Sequence, residues 1–222
     1  MINQIERAVC LTLDKRIALG RDVVIQAANY GLDVKLFMAG DGTLPITYDH
    51  IDINELPPRY PESLTYPSWT TKPNAYNAWQ CHQKIIREAY DDGLNNLLML
   101  EDDVFFEKDF IEILEKTTAF FNSNTWDMIY FGWYSNDHLQ DIGQEHVYRM
   151  MGGGGFHAVL LNRDMLQILY DVPPLGPFDF ITGVFFHKHI DAYAIYPNII
   201  SQHNGYSYVE HGTLDKPDRY KK

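Results

Sequence analysis

The chain has 222 residues, 45% of them hydrophobic, enough for one large domain with a full core and too apolar for disorder. Thirty acids against 18 bases give a net charge of −12, which leaves no basic stripe for nucleic acid but does not exclude a small phosphate compound held through a metal. The two cysteines, Cys10 and Cys81, have no metal-type spacing and read as buried thiols, and no apolar run reaches the ~18–20 residues that span a bilayer.

Ala8-Val9-Cys10-Leu11-Thr12-Leu13 reads as a first strand with Asp14-Lys15-Arg16 at its end. Residues 17–30 follow at helical spacing, and Gly31 stands where a helix ends. Residues 34–38 form a second strand, closed by the turn Ala39-Gly40-Asp41-Gly42. Strand, helix, strand in this order favours a parallel α/β sheet. A long proline-rich loop over 43–73 suggests a functional segment. A helix over 75–90 ends at Asp92-Gly93, and the next strand is Leu97-Leu98-Met99-Leu100. Further helices are expected over 107–121, 163–170 and 178–188, and further strands over 126–132, 156–161 and 192–196. The N-terminus lacks the apolar stretch of a signal peptide, so the expected location is the cytoplasm, at most peripheral to a membrane. With no internal repeat or second linker, one domain is expected over 1–222.

The stretch that organises the chain is Leu97-Leu98-Met99-Leu100-Glu101-Asp102-Asp103. Its apolar run reads as a strand buried on both faces, which puts three acids at the carboxyl end, the edge where open α/β sheets bind ligands. Three adjacent anions repel, and a divalent cation relieves that repulsion; an oxygen-only set favours Mn²⁺ or Mg²⁺. Strand alternation sends Glu101 and Asp103 one way and Asp102 the other. The simpler alternative is that the acids cap the following helix. Gly152, Gly153, Gly154 and Gly155 form a second unusual stretch. It either admits another molecule close to the backbone or makes a bulge.

The ordered set of motifs resembles glycosyltransferase family 25, the lipopolysaccharide and collagen sugar-transferase group. Thr12-Leu13-Asp14-Lys15-Arg16 is similar to its opening Asn-Leu-Asp-Arg-Arg, and Met38-Ala39-Gly40-Asp41-Gly42 to its Ala-Val-Asp-Gly. Asp92-Gly93 and the run from Leu97 to Val104 are similar to its Gly-Leu and Leu-Ile-Leu-Glu-Asp-Asp-Val. Trp126-Asp127 and Ala192-Tyr193-Ala194-Ile195-Tyr196-Pro197 also match in kind. Of the family's Gly-x-x-x-Ser-His before the central strand only His82 is kept, and the four glycines replace its Gly-Thr-x-Gly-type segment.

The resemblance implies a GT-A fold: one mixed, mostly parallel sheet flanked by helices. The nucleotide-sugar half would be about 1–104 and the acceptor half about 105–222. It implies an inverting, metal-dependent transfer of a sugar from a nucleotide-diphosphate donor, a UDP-hexose first, to a hydroxyl of a glycan or glycoconjugate. Glu101 and Asp103 are the implied ligands of Mn²⁺ or Mg²⁺. A third ligand from the C-terminal segment would be His203, nearer the last strand, or His211; either is otherwise a surface histidine. Thr12, Asp14, Arg16, Asp41, His82 and Asp102 fall to the donor, and Gly153 and Gly154 to the acceptor side. Asp179 is the candidate general base, with Glu210 behind it; the plainer reading of Asp179 is a helix cap. Trp69, Trp133, Tyr134, Tyr206 and Tyr208 fall in loops that suit a glycan, or are ordinary core and surface aromatics. The competing functions are a metal-dependent phosphohydrolase or nucleotidyltransferase using the same acids, and a non-enzymatic carbohydrate-binding module.

Overall fold

The computed structural model describes residues 1–39, 73–134, 138–172, 178–203, 205–207 and 212–214. Its elements in chain order are β1 (Ala8–Leu13), α1 (Ile17–Ala28), β2 (Val34–Ala39), α2 (Pro73–Asp91), β3 (Asn96–Glu101), β4 (Val104–Phe106), α3 (Phe110–Ser123) and β5 (Met128–Gly132). They continue with β6 (Leu139–Gln144), β7 (Val147–Met150), β8 (Ala158–Asn162), α4 (Arg163–Tyr170), α5 (Phe178–Ile181), β9 (Ala192–Ile195), β10 (Ile200–Gln202), β11 (Gly205–Ser207) and β12 (Gly212–Leu214).

The fold is α/β. Eight strands form one mixed sheet in the order β2-β1-β3-β8-β5-β9-β7-β6. β2, β1 and β3 run parallel, β8 runs against β3 and β5, β9 is parallel to β5, and β7 is antiparallel to β9 and β6. Six strands therefore share one direction, with β7 and β8 reversed. Leu97, Leu98, Met99 and Leu100 of β3 are all buried. Alternate residues feed two cores. Leu97 and Met99 join Trp79, Ile86 and Met165 on one face; Leu98 and Leu100 join Val23, Phe110 and Phe131 on the other.

Two helix ends follow from glycine. At Gly31 (φ 78°) the Leu32 amide donates to Ala27 O and the Gly31 amide to Ala28 O. At Gly93 (φ 78°) the Leu94 and Gly93 amides donate to Ala89 O and Tyr90 O. Both are Schellman ends, with the left-handed residue supplied by glycine. They release the chain directly into β2 and β3.

One expected helix changes, and further strands add to those expected. The helix expected over 178–188 is helical only as far as Ile181 and then widens into a π turn, Thr182–Phe186. The His187 amide donates to Thr182 O, five residues back. Within this turn Gly183 packs on Gly153 so closely that a Cβ would collide with the Gly153 carbonyl oxygen. Asp179 lies inside the first turn of α5 and is not its cap. The segment after Gly132 holds the β6–β7 hairpin, and β4 pairs with β10 in a separate two-stranded sheet. Cys10 and Cys81 are buried free thiols, as expected. No helix among the described residues is long and apolar enough to cross a membrane.

Candidate active site

Because β8 is reversed, its beginning lies at the same edge as the carboxyl ends of β1, β3 and β5. Glu101, the 3-10 turn Asp14–Arg16, Tyr134 and the glycine run therefore gather at one edge. Glu101 ends β3, and Asp102 and Asp103 make the turn between β3 and β4. Asp102 turns back toward β1. It accepts a hydrogen bond from the buried Thr12 hydroxyl at 2.7 Å and pairs with Arg16 Nη2 at 2.7 Å. β1 and β3 pair with Leu11 opposite Glu101, so Thr12 falls beside Asp102. Burial pushes the Asp102 carboxyl above its ordinary value. Thr12, Arg16 and the Leu13 amide oppose that shift, and the charge of Asp103 adds to it. Arg16 Nη2 also lies 3.5 Å from Asp103 Oδ2. Burial, first, and then the three acids push the Cys10 thiol up, so it is inert.

Glu101 and Asp103 converge on Gln202. The side-chain nitrogen of Gln202 donates to Glu101 Oε2 at 3.0 Å and to Asp103 Oδ1 at 2.8 Å. One nitrogen within hydrogen-bond reach of both carboxylates shows that their oxygens converge on a single point, and carboxylate oxygens are donors of the kind Mn²⁺ and Mg²⁺ take. Gln202 arrives there through β10, where it pairs opposite Val104, next to Asp103. The Tyr134 hydroxyl donates to Gln202 Oε1.

His203 is adjacent, but its exposed ring packs on Phe105 (centroids 4.5 Å apart) while its amide donates to Asp103 O. Among the described residues no three His, Cys, Asp or Glu side chains converge on one point, so the ring is not brought together with the two acids. The C-terminal side chain that does reach them is Gln202. An amide carries no charge-based signal in a sequence, and its place depends on the pairing of two three-residue strands.

The glycine run forms the opposite wall. Gly153 (φ 86°) and Gly155 (φ 111°) take left-handed backbone, and a Cβ on Gly155 would press on Trp133 Cα at 3.2 Å. The close approach there is made by the chain itself, which favours the bend over an opening for another molecule at these two positions. Gly154 faces Asp179: a Cβ would stand 3.3 Å from Asp179 Oδ2. The Tyr134 amide donates to Gly154 O at 3.0 Å. Asp179, Gly153, Gly154 and Tyr134 are thus brought together, and Tyr134 joins them to the acids through Gln202. Beneath them, the buried His187 ring bridges Tyr130 OH (2.8 Å) and Gly152 O (3.1 Å). Burial holds its pKa down to about 4, so it is neutral, with Nδ1–H donated to Gly152 and Nε2 accepting from Tyr130.

His82, expected on the donor side, is buried on α2 with its ring edge-on to Phe156 and Phe178. These two residues flank the glycine run and Asp179. Burial lowers its pKa to about 4. Asp14 is exposed beside Arg16. Trp133 is buried core. Asp41, Trp69, Tyr208, Glu210 and His211 lie outside the described residues, as does the side chain of Tyr206.

No family model matches the chain, and no curated protein matches it. Among solved structures it is similar to a glycosyltransferase involved in the glycosylation of the major capsid of PBCV-1, at 11% identity over 92% of this chain and 96% of that one, with a TM-score of 0.47. It is similar to A197 from STIV at 15% identity over 85% and 81% of the two chains, TM-score 0.42. A third likeness is to galactosyltransferase LgtC in complex with donor and acceptor sugar analogues, at 11% identity over 90% and 87%, TM-score 0.36. These three likenesses all score below 0.5, and the functional reading rests on the residues instead.

Proposed function

We propose that this chain is an inverting, metal-dependent glycosyltransferase of GT-A type, close in kind to family 25. It moves a hexose from a UDP donor to a hydroxyl of a glycan or glycoconjugate. The observation that carries the reading is the convergence of Glu101 and Asp103 on one point at the carboxyl end of β3, with Asp102 turned back onto Thr12 and Arg16. Paired acids facing one point, beside a fixed cation, suit a diphosphate that must leave with its charge neutralised.

Glu101 and Asp103 would hold the divalent cation, Mn²⁺ or Mg²⁺. When bound, it supplies Lewis-acid neutralisation of the diphosphate. Arg16, gripped by Asp102, offers a fixed positive charge for the donor phosphates. Thr12 keeps Asp102 in place, Asp14 is a donor-side acid just after β1, and the resemblance alone gives Asp41 to the donor. Asp179 takes the proton of the acceptor hydroxyl. It is half-buried beside Gly154, where an acceptor held against the glycine run would present its hydroxyl. His82 and His187, both neutral, support that wall from behind.

The test is a thermal-shift screen of UDP-, GDP-, CMP- and TDP-sugars with Mn²⁺, followed by calorimetry. A UDP-sugar at a hundred times its dissociation constant should stabilise the protein by about 2.7 kcal/mol. Asp103→Asn should abolish the Mn²⁺-dependent part of that gain while the protein stays folded. A response to GDP-sugars alone, or none to any donor, would overturn the donor assignment. Equal gains in the two proteins would overturn the metal assignment. Steady hydrolysis of the donor with no acceptor dependence would favour a phosphohydrolase.

A further inference from the structure

The side chain of Gln202 is gripped at both ends. It is 7% exposed, its nitrogen bridges Glu101 and Asp103, and its oxygen accepts from Tyr134. Ionised carboxylates only accept hydrogen bonds, so in the absence of a cation the NH₂ end must face them. A cation reverses that demand. It repels an NH₂ group and attracts a carbonyl oxygen, which is an ordinary ligand of Mn²⁺ and Mg²⁺. Half a turn about the last side-chain torsion exchanges the two ends with little displacement. The partner at the far end must then serve both orientations. A phenol hydroxyl does so, because it donates to Oε1 in one state and accepts from Nε2 in the other.

We propose that Gln202 is a reversible metal ligand, whose amide nitrogen holds Glu101 and Asp103 together when no cation is present and whose carbonyl oxygen ligates the cation when it binds. The inference rests on the reading of Glu101 and Asp103 as cation ligands. The Tyr134 hydroxyl is the pivot. Because the Tyr134 amide also holds Gly154 O, cation binding is felt at the wall that carries Asp179.

The experiment uses Mn²⁺ alone as probe, on the full chain after chelation, with calorimetry for affinity and water-proton relaxation for the waters bound to Mn²⁺. Gln202→Met should weaken Mn²⁺ binding by about tenfold or more, and the bound ion should carry one extra water in place of the lost oxygen. Gln202→Glu should bind more tightly than wild type with unchanged hydration. Methionine-variant affinity that is equal or higher, with unchanged hydration, would overturn the inference, because a mere lock competes with the cation and its removal helps binding. Where that result accompanies loss of binding in Asp103→Asn, the metal site stands and only Gln202 is removed from it. Should Asp103→Asn bind Mn²⁺ as wild type does, both readings fall. If circular dichroism shows the methionine variant unfolded, the glutamate variant decides: tighter binding supports the ligand role, and equal or weaker binding overturns it.

Discussion

Thr12 offers a direct measure of how the acid triplet is held. Its hydroxyl has one proton and two acceptors in reach, Leu13 O at 3.3 Å and Asp102 Oδ2 at 2.7 Å. The nearer, charged oxygen takes it. Both side chains are buried, with Thr12 2% and Asp102 7% exposed, so water cannot replace the lost bond. Thr12→Val keeps the branched shape and deletes the donor. A hydrogen bond to a charged group contributes about 1.5–3 kcal/mol. Asp102 keeps Arg16 and the Leu13 amide, and the new methyl recovers part of the loss. The expected net cost is therefore near the low end, about 1–1.5 kcal/mol. In a chain of this length that lowers the melting temperature by about 2–6 °C. Urea denaturation at pH 7 of wild type, Thr12→Val, Asp102→Ala and the double variant gives the coupling energy, expected at about 1 kcal/mol. A cost within about 0.3 kcal/mol together with no coupling would show that Asp102 does not lean on Thr12. The reading of Thr12 as the residue that keeps Asp102 in place would then fall.

Asp179→Asn should cut turnover by about 10²–10⁴-fold with donor affinity unchanged, read by steady-state kinetics with the acceptor found in the screen; near-normal turnover would remove Asp179 from the mechanism. Acid should destabilise the protein through its buried histidines. His82 and His187 are held down to about 4 in the folded chain against an unperturbed 6.5, so the unfolded chain binds more protons between those values. Their contribution is intact above pH 6.5 and is lost as pH falls toward 4, at up to about 1.4 kcal/mol per pH unit for each histidine. His82→Phe, in a pocket already walled by Phe156 and Phe178, should remove about half of that histidine-derived slope. Urea titrations from pH 6.5 to 4.5 measure it, and an unchanged slope would show that His82 is not held neutral.

The elements legible in the sequence are those whose signal is local. α1, α2 and α4 carry enough residues for a period to show, β3 shows as an unbroken apolar run, and Gly31 and Gly93 mark two of the helix ends by a backbone conformation that other residues resist. β6 is almost wholly solvent-facing, so no alternation betrays it. β4 and β10 have three residues each, too few for any period. The π turn after Ile181 packs Gly183 against Gly153, thirty residues earlier, a distant contact that the helical spacing of its own segment does not show.

The same division runs through the site. Alternation read from the sequence separates Asp102 from Glu101 and Asp103, and the structure reaches a similar separation through a turn at 102–103, with Asp103 still 3.5 Å from the Arg16 that Asp102 grips. The partner of Glu101 and Asp103 lies about a hundred residues away and depends on the register of β10 against β4. Within that strand Ser201 reaches Glu107, Gln202 reaches the two acids, and the next ring, His203, packs on Phe105. A shift of one position changes which face of the strand a side chain serves. Nearness to the last strand singles out this stretch but not the residue within it. Chemistry favours the histidine as a metal ligand, and register sets the amide beside it against the two acids.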